Sequence, residues 1–167
     1  MKQLRIRYQQ IKDAKRFLAI LSNPDFIYFS ANPSSIEEEK RFLRLNKEKR
    51  LNNIEHNFTI IFKDDIVGAV GLRIDQFRKY IGEVGYFVDR EYWRLGIASR
   101  AVELVEEFGF GELKLKRIEL VTLKKNIPSI RVANKCGFRK EGIQRAKLIH
   151  DGQYQDAYLF AKIRRGS

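Results

Sequence analysis

A short run of small and basic residues in the middle of the chain could bind a phosphate group. It lies between a predicted strand and the strongest amphipathic helix, and it consists of Arg94, Leu95, Gly96, Ile97, Ala98 and Ser99. The first amides of a helix have no intrahelical acceptor and lie at the positive end of the helix dipole, so they attract anions. Gly96 and Ala98 leave room for a phosphate to reach those amides. The same turn also suits an ordinary strand-to-helix loop, and the loop alone does not separate the two interpretations.

The elements that must position this loop follow from the hydrophobic periodicity of the chain. They are predicted in the order β-α-α-β-β-β-α-β-α-β-β, which gives an α/β fold with a mixed sheet and helices packed on it. Lys63-Asp64-Asp65 and Asp151-Gly152 are typical hairpin turns. No repeat or linker interrupts the pattern, so a single domain over residues 1–167 is expected. The predicted strands are Leu4–Tyr8, Phe58–Phe62, Ile66–Ile74, Ile81–Asp89, Arg117–Leu123, Phe138–Leu148 and Tyr154–Ile163.

Composition and charge limit the classes of protein that this chain can represent. Its 167 residues are 44% hydrophobic and 32% charged, which excludes a disordered or fibrous chain. Its apolar runs are too short for a membrane span, its start has no apolar signal core, and its single cysteine fits a reducing compartment, so we expect a cytoplasmic location. The net charge of +12 favours polyanionic partners, either a nucleic acid or a phosphate-bearing small molecule.

Further motifs accompany the loop at fixed spacing and together indicate a family. They are Gly85-Tyr86-Phe87-Val88, Asn126-x-x-Ser129, Asn134-Lys135-Cys136-Gly137-Phe138 and Gly152-x-Tyr154-x-Asp156. With them, the chain from about Leu4 to Ile163 resembles the GNAT superfamily of N-acetyltransferases, and within it the Rim-type branch of ribosomal-protein N-terminal acetyltransferases. The family's signature loop begins with Arg or Gln. Trp93 in that position departs from the broad pattern but matches the Rim-type branch.

This resemblance implies a GNAT fold with a splayed central sheet and acetyl-CoA as the cosubstrate. It places the pyrophosphate on the amides of residues 94–99, and it pairs the pantetheine arm with the strand that contains Phe87 and Val88. Asn126 matches the position that hydrogen-bonds the pantetheine region. The glycines that cluster between positions 68 and 96 agree with a close approach to the backbone in this region.

Ser129 is the candidate that would protonate or hydrogen-bond the departing thiolate. Many family members use a tyrosine four residues before the glycine of the Gly-Phe pair, and that position is Ala133 here. The Rim-type branch has a serine where Ser129 stands. A first-turn serine that only caps a helix remains an alternative on sequence grounds.

Glu83 is the candidate general base. It lies two residues before Gly85 and matches a frequent glutamate of the Rim-type branch, although a solvated or ion-paired strand glutamate is an open alternative. Glu119 is the second choice. The family's frequent strand glutamate, five residues before the asparagine, would fall on Val121 here, which cannot accept a proton. Strand alternation places Glu83 and Phe87 on one face and Tyr86 on the other.

The remaining chemically active residues have simpler interpretations. His56 and His150 lack cysteine or acidic partners at metal-ligand spacing, so no metal site is expected. His56 is predicted to lie at the surface where a strand begins, with a position facing the acceptor cleft as the alternative. Cys136 shares an apolar helix face with neighbouring aliphatic residues, so buried packing is expected rather than catalysis.

The sequence therefore predicts an acetyl-CoA-dependent N-acetyltransferase that acts on the α-amine of a protein or peptide. Acetylation of a small amine, such as a polyamine or an antibiotic, is the enzymatic alternative. A polyamine enzyme should line its acceptor cleft with carboxylates, whereas the acids here are concentrated in the second helix. A basic nucleic-acid-binding protein is the alternative outside enzymes, and ribosome association could serve either class.

Overall fold

The computed structural model describes residues 3–27, 33–164 and 166 of the chain. Its strands form one seven-stranded sheet in the order β1-β2-β3-β4-β5-β7-β6, in which β4 and β5 are parallel and the other neighbours are antiparallel. The strands are β1 (Leu4–Tyr8), β2 (Glu55–Phe62), β3 (Asp65–Ile74), β4 (Ile81–Val88), β5 (Arg117–Leu123), β6 (Arg139–His150) and β7 (Gln153–Ile163). The helices are α1 (Ala14–Leu21), α2 (Ile36–Leu51), α3 (Ile97–Gly111) and α4 (Ile127–Lys135).

This order confirms the predicted fold class and the predicted sequence of elements. Both hairpin turns adopt the left-handed backbone that a tight two-residue turn requires, with φ of 49° at Lys63 and 68° at Asp64, and 51° at Asp151 and 71° at Gly152. Ser35 caps α2, because its side chain accepts the amide proton of Glu38 at 3.2 Å.

The sheet carries helices on both faces. Helices α3 and α4 cover the larger core, in which Ile97, Val102 and Val105 pack against Leu72 and Ile118. Helices α1 and α2 cover a smaller cluster on the opposite face, made of Ala14, Phe17, Leu43 and Ala69 with Phe87 packed against it. Helix α2 lies on the surface, and its Phe42 and Leu45 are exposed rather than packed.

The central sheet splits between its two parallel strands. Strand β4 pairs with β5 only from Ile81 to Glu83, which stands opposite Glu119. Beyond that point β4 stays with β3 as far as Val88, whereas β5 stays with β7 as far as Leu123. A wedge-shaped gap therefore opens from Glu83 toward the carboxyl ends of both strands, and it is the splay that the family resemblance implied.

The burial of His56 and Cys136 can be compared with the positions predicted for them. His56 is only 5% exposed and lies against the ring of Phe108, so its expected surface position is wrong. Cys136 is buried as expected, and burial raises the pKa of its thiol to about 11. In the described ranges, none of the helices has the length and apolar character that crossing a bilayer requires.

Candidate active site

A cleft with a volume of about 510 Å³ lies beside the carboxyl end of β4, where β4 and β5 have separated. The end of β4, the loop after it, the start of α3, one face of α4 and residues 25–27 form its walls. Its lining includes Phe87, Val88, Arg94, Gly96, Ile97, Ala98, Ser99, Asn126 and Ser129 from the predicted set. Leu95 is about half exposed and lies outside the described lining, as does Glu83. Nine predicted residues from three separate segments of the sequence (87–88, 94–99 and 126–129) therefore share one cavity.

The loop before α3 directs unpaired amides into this cleft. Gly96 has φ of 76° and ψ of 9°, a left-handed conformation that glycine adopts without strain, and it stands immediately before the helix. The first intrahelical hydrogen bond joins the Arg100 amide to the Gly96 carbonyl at 3.1 Å. The amides of residues 97–99 precede that bond, so none of them has an acceptor within the helix. This is the geometry of an anion site at a helix N-terminus.

The charges around the cleft also favour an anion. Arg94, Arg131 and Lys135 line it, and Asp25 is the acidic residue among its described lining residues. The Asp25 carboxylate forms an ion pair with Arg90. The side chains that line the cleft therefore carry a net positive formal charge.

The backbone N–H and C=O groups of β4 alternate in direction, so those of every second residue face the gap. The Tyr80 carbonyl accepts hydrogen bonds from residues leading into β5, whereas the Ile81 carbonyl accepts one from the end of β3. Because the direction alternates along a strand, the groups of Tyr86 and Val88 face the gap and those of Phe87 face β3. A Cβ on Gly68 of β3 would overlap the Phe87 carbonyl oxygen, in agreement with this direction.

Trp93 occupies one of the hydrogen-bonding groups on this edge of β4. Its indole Nε1 donates a hydrogen bond to the Val88 carbonyl at 2.7 Å. The Val88 amide and the backbone groups of Tyr86 lie along the same edge of the gap. An extended arm could pair with these groups as an additional strand does.

Helix α4 carries a hydroxyl pair at the cleft wall. Asn126 caps the helix, since its Oδ1 accepts the Ser129 amide proton at 3.2 Å. The Ser129 Oγ lies 2.9 Å from the hydroxyl oxygen of Tyr86. Burial raises the pKa of Tyr86 to about 12, although the hydrogen bond to Ser129 acts in the opposite direction. Tyr86 also lines the cleft.

Tyr86 was not among the predicted site residues. Strand alternation placed it on the face opposite Glu83, and that face is the one that α3 and α4 cover. The sequence contained one usable signal, because a buried tyrosine hydroxyl needs a hydrogen-bond partner. The partner itself comes from another element, 43 residues further along the chain.

The two candidate bases lie at the narrow end of the gap. Glu83 and Glu119 stand opposite each other where β4 and β5 part. Glu83 accepts a hydrogen bond from Arg73 at 2.8 Å, and Glu119 accepts one from Arg117 at 2.6 Å. Both carboxylates are thus ion-paired, and Glu83 is about one-third exposed. Their roles in proton transfer remain predictions.

The geometry offers three chemical elements in one cavity. Helix amides and basic side chains can hold phosphates, the free edge of β4 can align an extended arm, and the hydroxyls of Ser129 and Tyr86 can donate hydrogen bonds. Among the described residues, no group of three or more histidine, cysteine or acidic side chains is arranged to hold a metal ion.

Comparisons with known proteins identify the family of this chain. The family model described as the acetyltransferase (GNAT) domain matches residues 3–139. The probable N-acetyltransferase YjcK of Bacillus subtilis is 32% identical over 169 residues, which cover 96% of this chain and 93% of that protein. The solved ribosomal-protein-S5-alanine acetyltransferase from Vibrio fischeri has a TM-score of 0.88 at 26% identity, covering 99% of this chain and 95% of that one.

A second solved structure has the same fold at lower identity. RimL, a ribosomal L7/L12 alpha-N-protein acetyltransferase solved in complex with coenzyme A, has a TM-score of 0.89 at 16% identity, covering 98% of this chain and 95% of that one. The family match covers most of the chain, and YjcK aligns over nearly its full length. This chain belongs to the GNAT family and is an N-acetyltransferase.

Proposed function

We propose that this enzyme moves the acetyl group of acetyl-CoA to the N-terminal α-amine of a protein or peptide. The observation that carries the proposal is the cleft between β4 and β5, with helix amides at one end and the Ser129 hydroxyl in its wall. An activated acyl carrier with phosphates at one end fits this arrangement.

The residues of the cleft fit the parts of acetyl-CoA in order. The amides of residues 97–99 would hold the pyrophosphate, with Arg94 adding charge beside them. The backbone edge at Tyr86 and Val88 would align the pantetheine arm. Asn126 would contribute its amide N–H groups, because its Oδ1 already caps α4.

The chain's own groups must move two protons during acetyl transfer. The attacking amine loses one as its C–N bond forms, and Glu83 would accept it through water. The sulfur that leaves as the C–S bond breaks carries negative charge, and the Ser129 hydroxyl would hydrogen-bond or protonate it. Glu83 lies where the gap begins and Ser129 lies in its wall, so the two groups can act at different positions.

An α-amine is the chemically easier acceptor. Its ordinary pKa is about 8, against about 10.4 for lysine, so near pH 7 about one α-amine in ten is unprotonated but only about one lysine in 2,500. Ribosomal-protein acetyltransferases among the structural relatives also support a protein acceptor. Association with the ribosome would give part of the +12 charge a use, and such an enzyme would act in the cytoplasm.

The charges of the cleft argue against a polyamine acceptor and against a pure nucleic-acid-binding role. A polyamine needs free carboxylates at the acceptor position, whereas Glu83 and Glu119 at the narrow end of the gap are already paired with arginines. A nucleic-acid-binding protein has no need for a split sheet with a hydroxyl pair inside it. All seven strands belong to one sheet, so we further propose that residues 1–167 act as one catalytic domain.

A panel of acceptors tests the proposal, with release of the free thiol of coenzyme A as the readout. One peptide has a free N-terminal alanine and no lysine, and its matched control has a blocked N-terminus and one lysine. Spermidine and an aminoglycoside complete the panel. Acetylation of the free-amine peptide alone is expected. Preferential acetylation of spermidine or of the aminoglycoside would overturn the assignment of the acceptor, and no thiol release with any amine would overturn acetyl transfer by this site.

A further inference from the structure

We infer that Tyr86 is a positioning residue for acetyl transfer, and that its hydroxyl donates a hydrogen bond to Ser129 so that the serine proton points at the departing sulfur. This inference rests on the proposed function, in which Ser129 meets the thiolate of coenzyme A. Nothing in the family's signature loop requires a hydroxyl on β4.

The geometry joins two elements that the fold holds rigidly. Tyr86 is fixed in β4 through the strand's pairing with β3, where Tyr86 stands opposite Val70. Ser129 is fixed in the first turn of α4, because its amide donates to the capping oxygen of Asn126. The two hydroxyl oxygens are 2.9 Å apart, and both residues line the cleft. The pair is therefore placed by the backbone and needs no movement to form.

The direction of this hydrogen bond determines whether Ser129 can act. Each hydroxyl has one proton and can also accept. If Ser129 donated to Tyr86, its only proton would be engaged and unable to meet the sulfur. If Tyr86 donates, the Ser129 oxygen is satisfied as an acceptor and its proton stays available. A phenol is more acidic than an alkyl hydroxyl and is therefore the stronger donor, which favours the second arrangement.

Tyr86 acts without giving up its proton. Burial raises its pKa to about 12, whereas an ordinary thiol has a pKa of about 8.5. Complete transfer of the phenol proton to the thiolate would be unfavourable by more than three pKa units, or more than a thousandfold in equilibrium. A hydrogen bond from a neutral Tyr86 has no such penalty. Position 133 on α4 offers no hydroxyl instead, since it is a buried alanine.

A double-mutant cycle tests the inference. The variants are Tyr86→Phe, Ser129→Ala and their combination, assayed with acetyl-CoA and the alanine-initiated peptide by thiol release. Tyr86→Phe should lower kcat about tenfold with little change in the KM for acetyl-CoA, which corresponds to the loss of about one neutral hydrogen bond. In the Ser129→Ala background the same change should alter kcat less than twofold, because the hydroxyl then has nothing to orient.

Controls separate this role from a structural one. Tyr8→Phe removes a hydroxyl from a tyrosine that stacks on Phe58 outside the cleft, and it should leave kcat unchanged. Multiplicative effects of Tyr86→Phe and Ser129→Ala would overturn the inference while leaving acetyl transfer intact. A loss of melting temperature or of acetyl-CoA affinity in Tyr86→Phe with unchanged kcat would also overturn it. An inactive wild-type enzyme would overturn the proposed function, and this inference with it.

Discussion

The free-energy cost of replacing Gly96 by alanine should be divided between the stability of the fold and the binding of acetyl-CoA. The cost comes from the backbone of residue 96, whose φ of 76° lies in the left-handed region. An L-residue in that region is destabilised by about 1–2 kcal/mol relative to its right-handed conformation. If the folded state takes the whole penalty, the melting temperature should fall by about 2–8 °C for a chain of this size. If the loop instead changes its backbone conformation, the amides of residues 97–99 no longer point into the cleft.

The expected loss of affinity follows from the same free energy. A penalty of about 1–2 kcal/mol corresponds to an increase of about 5–30-fold in the dissociation constant. Titration calorimetry with coenzyme A measures this value, and differential scanning calorimetry of the free protein measures the change in stability. Both effects come from the same penalty at residue 96. A large loss of affinity for coenzyme A should therefore accompany a small loss of stability, and a large loss of stability should accompany a small loss of affinity.

Gly111→Ala is a matched control at the other end of the same helix. Gly111 is the last residue of α3, its backbone is outside the left-handed region, and a Cβ there would meet no atom within 4 Å. Alanine should therefore stabilise the helix by about 0.5–1 kcal/mol and leave coenzyme A affinity unchanged. The same chemical change thus has opposite signs at two ends of one helix. If both variants are stabilised, residue 96 is not left-handed and the description of the loop is refuted.

Three further substitutions test other parts of the molecule. Glu83→Gln should lower kcat about a hundredfold with the alanine-initiated peptide, whereas an unchanged kcat would assign the base elsewhere. Burial, with Arg50 nearby, lowers the pKa of His56 below 6.5, so the unfolded chain binds a proton that the folded one does not. Stability should therefore decrease as the pH falls below about 6.5, and urea unfolding of His56→Gln should show a weaker dependence. Burial alone would raise the pKa of Asp13, but its hydrogen bonds, first among them that from Arg7, hold the pKa below 3.8. Asp13→Asn should thus lose about 3 kcal/mol of stability at neutral pH, and the difference from wild type should shrink below about pH 3.8, as measured by urea unfolding.

The order of elements could be predicted because its signals are local. The turn at Lys63 and Asp64 depends on two adjacent residues, and so does the turn at Asp151 and Gly152. The cap of α2 depends on Ser35 and a residue three positions later. Each of these interactions involves residues only a few positions apart, so it can be predicted from the sequence without knowledge of the tertiary contacts.

The site residues that the sequence missed depend on contacts between distant elements. Alternation along β4 shows that Glu83 and Tyr86 lie on opposite faces, but it does not show which face α4 covers. The predicted surface position of His56 failed for the same reason, because the ring of Phe108 that covers it comes from α3. A pairing across 43 residues, such as that of Tyr86 with Ser129, becomes visible only once the sheet and helices are assembled.

Trp93 accounts for the departure of this loop from the broad family pattern. An arginine in its place could bring charge toward a phosphate, whereas the indole donates its proton to the Val88 carbonyl at 2.7 Å. The positive charge of the cleft must then come from other side chains, and Arg94 lies next in the chain.

The same hydrogen bond restricts where a bound arm can pair with β4. The Val88 carbonyl is already engaged, so the Val88 amide and the backbone groups of Tyr86 remain for an arm in this part of the edge. Tyr86 then has two separate functions within one residue, because its backbone sets the position of the arm and its ring orients Ser129. A slip of the arm by one backbone hydrogen bond, which spans two residues of a strand, would move the sulfur by roughly 6–7 Å. The hydroxyl pair could not follow, since both of its members are fixed by secondary structure, and Tyr86 therefore couples correct alignment of the cosubstrate to departure of its thiolate.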